Sequence, residues 1–257
     1  MKTLLLTLLL VPMMSFGQNN YSMSFDGVDD AIDCGYNMHL TNSLSLAIWF
    51  KTSDNSSQRL ISNSDNCSMN RYFLMIDNSP SVPKLKFNIN YDGPSQTPTG
   101  AGQEISYFFP VNNNLWHFAV GTWDGNTMKL YLDGILVDYI TNINGPITYS
   151  NNTSSTYIAN DFCNAEPFYG LIDESSIWNI ALTEQEIQQY MNCPPTGNET
   201  GLVGYWNFEE GSGTTALDLA SNGNDGTING ATYNSDVPVQ NCCTPTSSTD
   251  VQTACES

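Results

Sequence analysis

The chain has 257 residues, with 7 Lys and Arg against 26 Asp and Glu, a formal net charge of −19 and a pI near 4.1. Nucleic-acid binding needs a basic footprint that replaces phosphate counterions, and an anionic membrane surface repels a polyanion, so both function classes are excluded. Hydrophobic residues at 40% and aromatics at 11% suffice for a packed core, while charged residues are only 13%. The polar surface therefore falls to Asn, Ser, Thr and Gly, the composition of a loop-rich, exported, all-β protein rather than a disordered acidic tail.

The first residues carry Lys2, an apolar run from Leu4 to Met14, and small residues at Ser15 and Gly17. This pattern predicts a secretory signal over residues 1–17, too short to span a bilayer, and hence a secreted, extracellular or cell-surface destination. No later segment has the apolar length of a membrane span. From Tyr21 to Trp178, short apolar runs alternate with turn clusters at the spacing of a sandwich or barrel. Strands are expected over residues 43–50, 71–76, 84–91, 115–123, 127–132 and 168–178. In the first, Leu44, Leu46, Ile48 and Phe50 share one face and Ala47 and Trp49 the other. Asp124-Gly125 and Asp133-Gly134 sit between strand-like runs and predict two hairpins in series. One helix is expected over residues 183–191, where Thr183-Glu184-Gln185-Glu186 forms a capping box and Ile187 and Met191 lie one turn apart. After Cys193-Pro194-Pro195-Thr196-Gly197, residues 201–208 and 225–231 supply further short strands.

Seven cysteines, Cys34, Cys67, Cys163, Cys193, Cys242, Cys243 and Cys255, follow the signal. None forms a C-x-x-C pair, which disfavours zinc, and an oxidising compartment permits disulfides. Cys67 with Cys163 and Cys193 with Cys242 are the pairings adopted among the several that the count allows. Cys34, in the strand-like Ala31-Ile32-Asp33-Cys34, reads as a buried free thiol.

Several segments, in order, carry a resemblance: Ser24-Phe25-Asp26-Gly27-Val28-Asp29-Asp30, then Leu44 to Phe50, then Trp116-His117-Phe118-Ala119-Val120-Gly121-Thr122-Trp123-Asp124-Gly125. Leu130-Tyr131-Leu132-Asp133-Gly134, Gly170-Leu171-Ile172-Asp173-Glu174 and the capped helix follow. The series resembles the laminin-G-like jelly roll of the concanavalin A-like lectin/glucanase superfamily, as found in exported proteins of Bacteroidetes. The resemblance implies an all-β, two-sheet antiparallel jelly-roll sandwich with one short helix over residues 18–192. Gly204-Tyr205-Trp206-Asn207-Phe208 and Asn224-Asp225-Gly226-Thr227 are similar to the opening strands of that family, displaced here to follow the helix. Residues 193–241 are therefore expected to close the same jelly roll in permuted order, the alternative being the start of a second one. Residues 242–257 read as a Cys/Ser/Thr-rich linker or the start of a further module, which implies a larger multidomain chain. The resemblance also implies calcium between the first strand and the Ile-Asp-Glu strand, with Asp26 and Asp173 as its carboxylates; the alternative for Asp26 is a turn residue bonding its own backbone.

The superfamily contains retaining glycosidases, which need two carboxyl groups on one face about 5 Å apart. No Glu-x-Asp-x-Glu run is present. Asp173 and Glu174 are adjacent, so their side chains are expected on opposite faces, and Glu209-Glu210 has the same defect. His117 alternates with Trp116 and Phe118 and reads as a strand residue; no Gly-x-Ser-x-Gly elbow exists. For carbohydrate, Tyr72, Tyr91, Tyr107 and Phe108 are the aromatic candidates. The expected function is a non-catalytic recognition module for a glycan or an extracellular protein. A glycoside hydrolase and a structural spacer in an adhesin-like array are the alternatives.

Overall fold

The computed structural model describes residues 20–66, 69–78, 83–90, 102–147, 149 and 154–242. In chain order the first strands are β1 (Ser22–Asp26), β2 (Ala31–Asp33), β3 (Leu44–Lys51), β4 (Gln58–Asn66), β5 (Met69–Asp77), β6 (Lys84–Ile89), β7 (Gln103–Phe108) and β8 (His117–Trp123). They are followed by β9 (Thr127–Leu132), β10 (Ile135–Thr141), β11 (Ser155–Ile158), β12 (Tyr169–Trp178), the helix α1 (Glu184–Asn192), β13 (Leu202–Trp206), β14 (Thr215–Ala216), β15 (Gly226–Asn229) and β16 (Thr232–Asn234). Two antiparallel sheets face each other. One runs β10-β9-β8-β3-β12-β1-β16, with β13 also on β12; the other runs β14-β15-β2-β11-β4-β5-β6-β7.

Alternation decides which side chains meet between the sheets. Leu44, Leu46, Ile48 and Phe50 of β3 join Tyr72, Leu74 and Ile76 of β5 and Leu85, Phe87 and Ile89 of β6 in one central core. The other face of β3 is also apolar, and Ala47 and Trp49 form a second cluster with Phe118, Val120, Tyr131 and Trp178 on the outside of the first sheet. Helix α1 covers that cluster. Nine residues make a marginal helix alone, so the capping box at Thr183 and Glu186 and the burial of Ile187 hold it; burying that side chain is worth ~2 kcal/mol.

The segment after the helix completes both sheets. β13 pairs with β12, β16 with β1 and β15 with β2, and Trp206 and Phe208 enter the same core as Phe25. Cys193, the residue capping the helix C-terminus, is disulfide-bonded to Cys242. Cys34 is free and buried. Cys163 is disulfide-bonded, whereas Cys67 lies outside the described residues. The 1–17 segment and all but the first residue of the 242–257 tail also lie outside them. No helix among the described residues is long and apolar enough to cross a membrane.

Candidate functional site

The pairing register assembles a cleft at one end of the sandwich. β1 runs antiparallel to β12 and sets Asp26 opposite Tyr169. Gly27 follows with φ +76°, and a Cβ there would lie 2.9 Å from the Cβ of Tyr169, so only glycine lets the β1–β2 turn close against that ring. Asp54, in the β3–β4 loop, supplies the facing wall. Asp26, Gly27, Asp54 and Tyr169 line a cleft of about 260 Å³, and Tyr169 is 49% exposed. Short local bonds fix the walls: Asp26 Oδ1 accepts from Val28 N–H at 2.8 Å, and Tyr169 N–H donates to Gln58 Oε1 at 2.9 Å.

Behind the cleft the β1–β2 turn gathers acids. One carboxylate oxygen from each of Asp26, Asp29 and Asp30 lies within 4.8 Å of the others. Asp30 is buried and accepts the Asp26 N–H at 2.9 Å. Burial, reinforced by the charges of Asp26 and Asp29, pushes its pKa above the usual carboxylate value. The turn is stitched to the β11–β12 loop, where Asn164 donates to the carbonyl of Val28 and Asn160 to that of Asp30.

A second carboxylate group lies elsewhere. The register of β12 against β3 slips between Asp173 and Ser176, and Glu174 adopts φ +48° in the resulting bulge. This corrects the expectation that Asp173 and Glu174 point to opposite faces. Asp173 pairs with Trp49, whose side chain is in the outer cluster, and Glu174 accepts the hydroxyl proton of Tyr205 from that same cluster. Burial, then the neighbouring charge of Glu174, raises the pKa of Asp173; burial also raises that of Glu174. The other charge acting on both is Glu209, also negative. Asp173 is 3% exposed, so its carboxyl group offers a glycosidic bond no access.

The register does not unite the two carboxylates expected to share calcium. Asp26 pairs with Tyr169, whereas Asp173 lies four residues further along β12, beyond the Met23–Ile172 pair. At about 3.3 Å per residue that is roughly 13 Å of strand. Tyr72 is also corrected as a ligand residue: it is 0% exposed, faces the central core with Leu74 and Ile76, and donates its hydroxyl to the Met38 carbonyl at 2.9 Å. Tyr107 packs on the core and stacks on Phe109, with ring centroids 6.1 Å apart. Phe108 is exposed, with the Lys84 ammonium 5.7 Å from its ring. Tyr107 and Phe108 lie at the cleft end of the sandwich but do not line the cleft. Tyr91 lies outside the described residues. His117 is buried between Asp133, 2.8 Å from Nδ1, and Asn113, 3.1 Å from Nε2. Sequence reasoning missed Asp54 and Tyr169; the Asp-Asn-Ser-Ser turn cluster and the first residue of a recognisable strand were the available signals.

The profile of the Laminin_G_3 family, described as the concanavalin A-like lectin/glucanases superfamily, matches residues 26–188. Among solved structures, a candidate carbohydrate-binding protein from Bacteroides ovatus ATCC 8483 is 18% identical with a TM-score of 0.67; the similarity covers 86% of this chain and 61% of that one. A SAP-like pentraxin from Limulus polyphemus is 14% identical with a TM-score of 0.58, covering 85% of this chain and 96% of that one. The CBM40 of a Ruminococcus gnavus sialidase, solved with α2,3-sialyllactose, is 13% identical with a TM-score of 0.53, covering 65% of this chain and 94% of that one. No curated protein sequence matches the chain. At these identities the solved structures share the fold.

Proposed function

Because the chain belongs to the Laminin_G_3 family of the concanavalin A-like lectin/glucanases superfamily, we propose that it is a non-catalytic carbohydrate-binding module of an exported protein, holding a sugar in the cleft between Asp26, Asp54 and Tyr169. One observation carries the reading: a half-exposed tyrosine ring stands in a small cleft with a carboxylate on either wall. The ring face suits the axial C–H groups of a pyranose, and the two carboxylates accept hydrogen bonds from its hydroxyls, which is how a few fixed polar groups orient a ligand on an apolar floor. The sialyllactose seen in the R. gnavus domain and the description of the B. ovatus protein support the same class of ligand. The disulfide between Cys193 and Cys242 supports an oxidising, extracellular setting.

Calcium belongs to the same proposal at a revised position. Asp26, Asp29 and Asp30 present hard oxygen donors on one turn, the donor chemistry calcium prefers. Bound there, the ion would neutralise the buried Asp30 and fix the wall of the cleft.

Glycan-array binding followed by titration calorimetry tests the reading. Tyr169→Ala and Asp54→Asn are expected to weaken binding at least ~10-fold, and Tyr169→Ala to leave the melting temperature unchanged. Wild-type affinity in both variants refutes the cleft. Millimolar calcium is expected to raise the melting temperature of the wild type and not that of Asp29→Asn; no response to calcium or EDTA removes the ion from the proposal.

A further inference from the structure

Three aromatic residues form a stripe that leaves the cleft end and runs down the outer face of the second sheet. Ile158 of β11 and Ile32 of β2 enter the central core, so Tyr157 and its cross-strand partner Asp33 point outward. Phe162, in the β11–β12 loop at the cleft end, packs edge-on against Tyr157 with ring centroids 6.5 Å apart and remains 44% exposed. Tyr36 lies three residues past Asp33, on the side away from the cleft, and is 51% exposed. Polar groups are interleaved with the rings: Asp33 Oδ1 accepts from Ser155 Oγ at 2.7 Å and Gly35 N–H at 2.9 Å, and Asp161 and Asn164 flank Phe162. The Asn164 and Asn160 bonds to the β1–β2 turn make stripe and cleft one continuous surface.

The solvent-facing charges along this path are carboxylates. Asp26, Asp29, Asp33, Asp54, Asp161 and Glu166 border it. Of the described cations nearest to it, Arg59 is buried against two of these acids, with Nε 2.6 Å from Glu166 and 4.0 Å from Asp161, and the Lys51 ammonium lies 2.6 Å from Asp236. A carboxylated or sulfated chain would meet carboxylates, with no free cationic side chain beside the path among the described residues to receive it; a calcium held by Asp26, Asp29 and Asp30 would still leave Asp33, Asp54 and Asp161 facing it.

We infer that Phe162, Tyr157 and Tyr36 continue the cleft as further subsites for a linear, uncharged oligosaccharide, so that the module binds internal stretches of a neutral polysaccharide rather than a single terminal sugar. The inference rests on the proposed carbohydrate reading and extends it to ligand length and charge. One unit lies on the ring of Tyr169, and successive units lie across Phe162, Tyr157 and Tyr36. Each added unit brings ring stacking and hydroxyl contacts to carboxylates that are already held in place, so little ordering entropy opposes it.

The test titrates the full chain with neutral gluco-, xylo-, manno- and galacto-oligosaccharides from mono- to hexasaccharide, and with oligogalacturonates and sialyllactose as anionic probes. In the neutral series that binds, affinity is expected to rise at least ~10-fold from monosaccharide to tetrasaccharide. Phe162→Ala and Tyr36→Ala, both at exposed positions, are expected to remove most of that rise, leave monosaccharide affinity intact and leave the melting temperature unchanged. Tyr169→Ala removes binding at every length. Affinity independent of length, an undiminished rise in both variants, or tighter binding of the anionic probes than of neutral chains of equal length overturns the inference while the cleft stands. A wild-type protein that binds no glycan overturns the cleft, and the stripe with it.

Discussion

Replacing Asp173 by Asn should flatten the pH dependence of stability, because the bulge in β12 buries the Asp173 carboxyl beside that of Glu174, with no cation paired to either among the described residues. In the folded chain the pKa of Asp173 is raised by burial first and by Glu174 second. A raised folded-state value means the native protein holds a proton that the unfolded chain releases, so the contribution to stability is complete below about pH 4 and is lost as pH rises toward the folded value. One such proton gives a slope of ~1.4 kcal/mol per pH unit. Over the two units from about pH 5 to about pH 7 the proton on Asp173 should therefore cost the wild type ~3 kcal/mol. The amide oxygen introduced by Asp173→Asn would keep the acceptor that Asp173 Oδ1 offers the Glu174 N–H, at 2.9 Å, and the amide cannot ionise. The excess of the variant over the wild type should grow by ~3 kcal/mol between about pH 5 and about pH 7. Urea unfolding followed by tryptophan fluorescence, from about pH 5 to about pH 8 in EDTA, measures this. EDTA removes any cation that could stand in for the proton. Asp30 and Glu209 also have raised values, so the decisive quantity is the difference in slope between variant and wild type. Parallel curves would refute the buried proton.

Two further outcomes concern packing and closure. Removing the bond between Cys193 and Cys242 by a double Ser substitution releases a closed segment with a sequence separation of 49; it should cost ~2–4 kcal/mol in thermal or urea unfolding. Glycan binding should persist, because the cleft is on other segments. Gly121→Val places a Cβ 2.5 Å from the ring of Phe87, which is fully buried and cannot swing away. A loss of ~1–3 kcal/mol is expected, and an unchanged melting temperature would show that β8 and β6 are not in close contact.

Strands with strict alternation were legible. In β6 Leu85, Phe87 and Ile89 point inward as their spacing required, and the helix start followed from the Thr183–Glu186 capping box. β4 was not legible, because register shifts near Leu60 and Ser64 break the period and only Leu60 and Ile61 among its residues are apolar. β7 begins Gln103-Glu104 and pairs only along the edge next to β6, so no apolar pattern announced it. The same alternation could have removed Tyr72 from the binding candidates, since it shares a face with Leu74 and Ile76. The bulge at Glu174 could not have been read: Asp-Glu-Ser-Ser carries no apolar period whose shift would reveal an extra residue. The cleft was half legible. Asp26-Gly27 reads as a turn from sequence, but only the register of β1 on β12 brings Tyr169 to it.

The acidity has a structural origin that also shapes what the module can hold. Asp218 accepts backbone N–H groups of Tyr205, Ala220 and Asn224; Asp161 accepts those of Cys163 and Ala165; Asp124 those of Asn126 and Thr127; and Asp133 that of Phe118. A carboxylate satisfies such loop donors more strongly than an amide or hydroxyl does. A sandwich with this many loops therefore accumulates negative charge as its turns are fixed. The cleft is walled by turns of the same kind, in which Asp26 accepts the Val28 N–H and Asp54 that of Asn55, so it carries the same sign. Lysine or arginine at its rim would compete for the same carboxylates and loosen the loops that shape it. Selectivity for uncharged chains thus follows from how the loops are held, and a cation placed at position 54 by Asp54→Lys should disturb the fold of the β3–β4 loop before it creates affinity for an anion, because Asp54 accepts the N–H groups of Asn55 and Ser56.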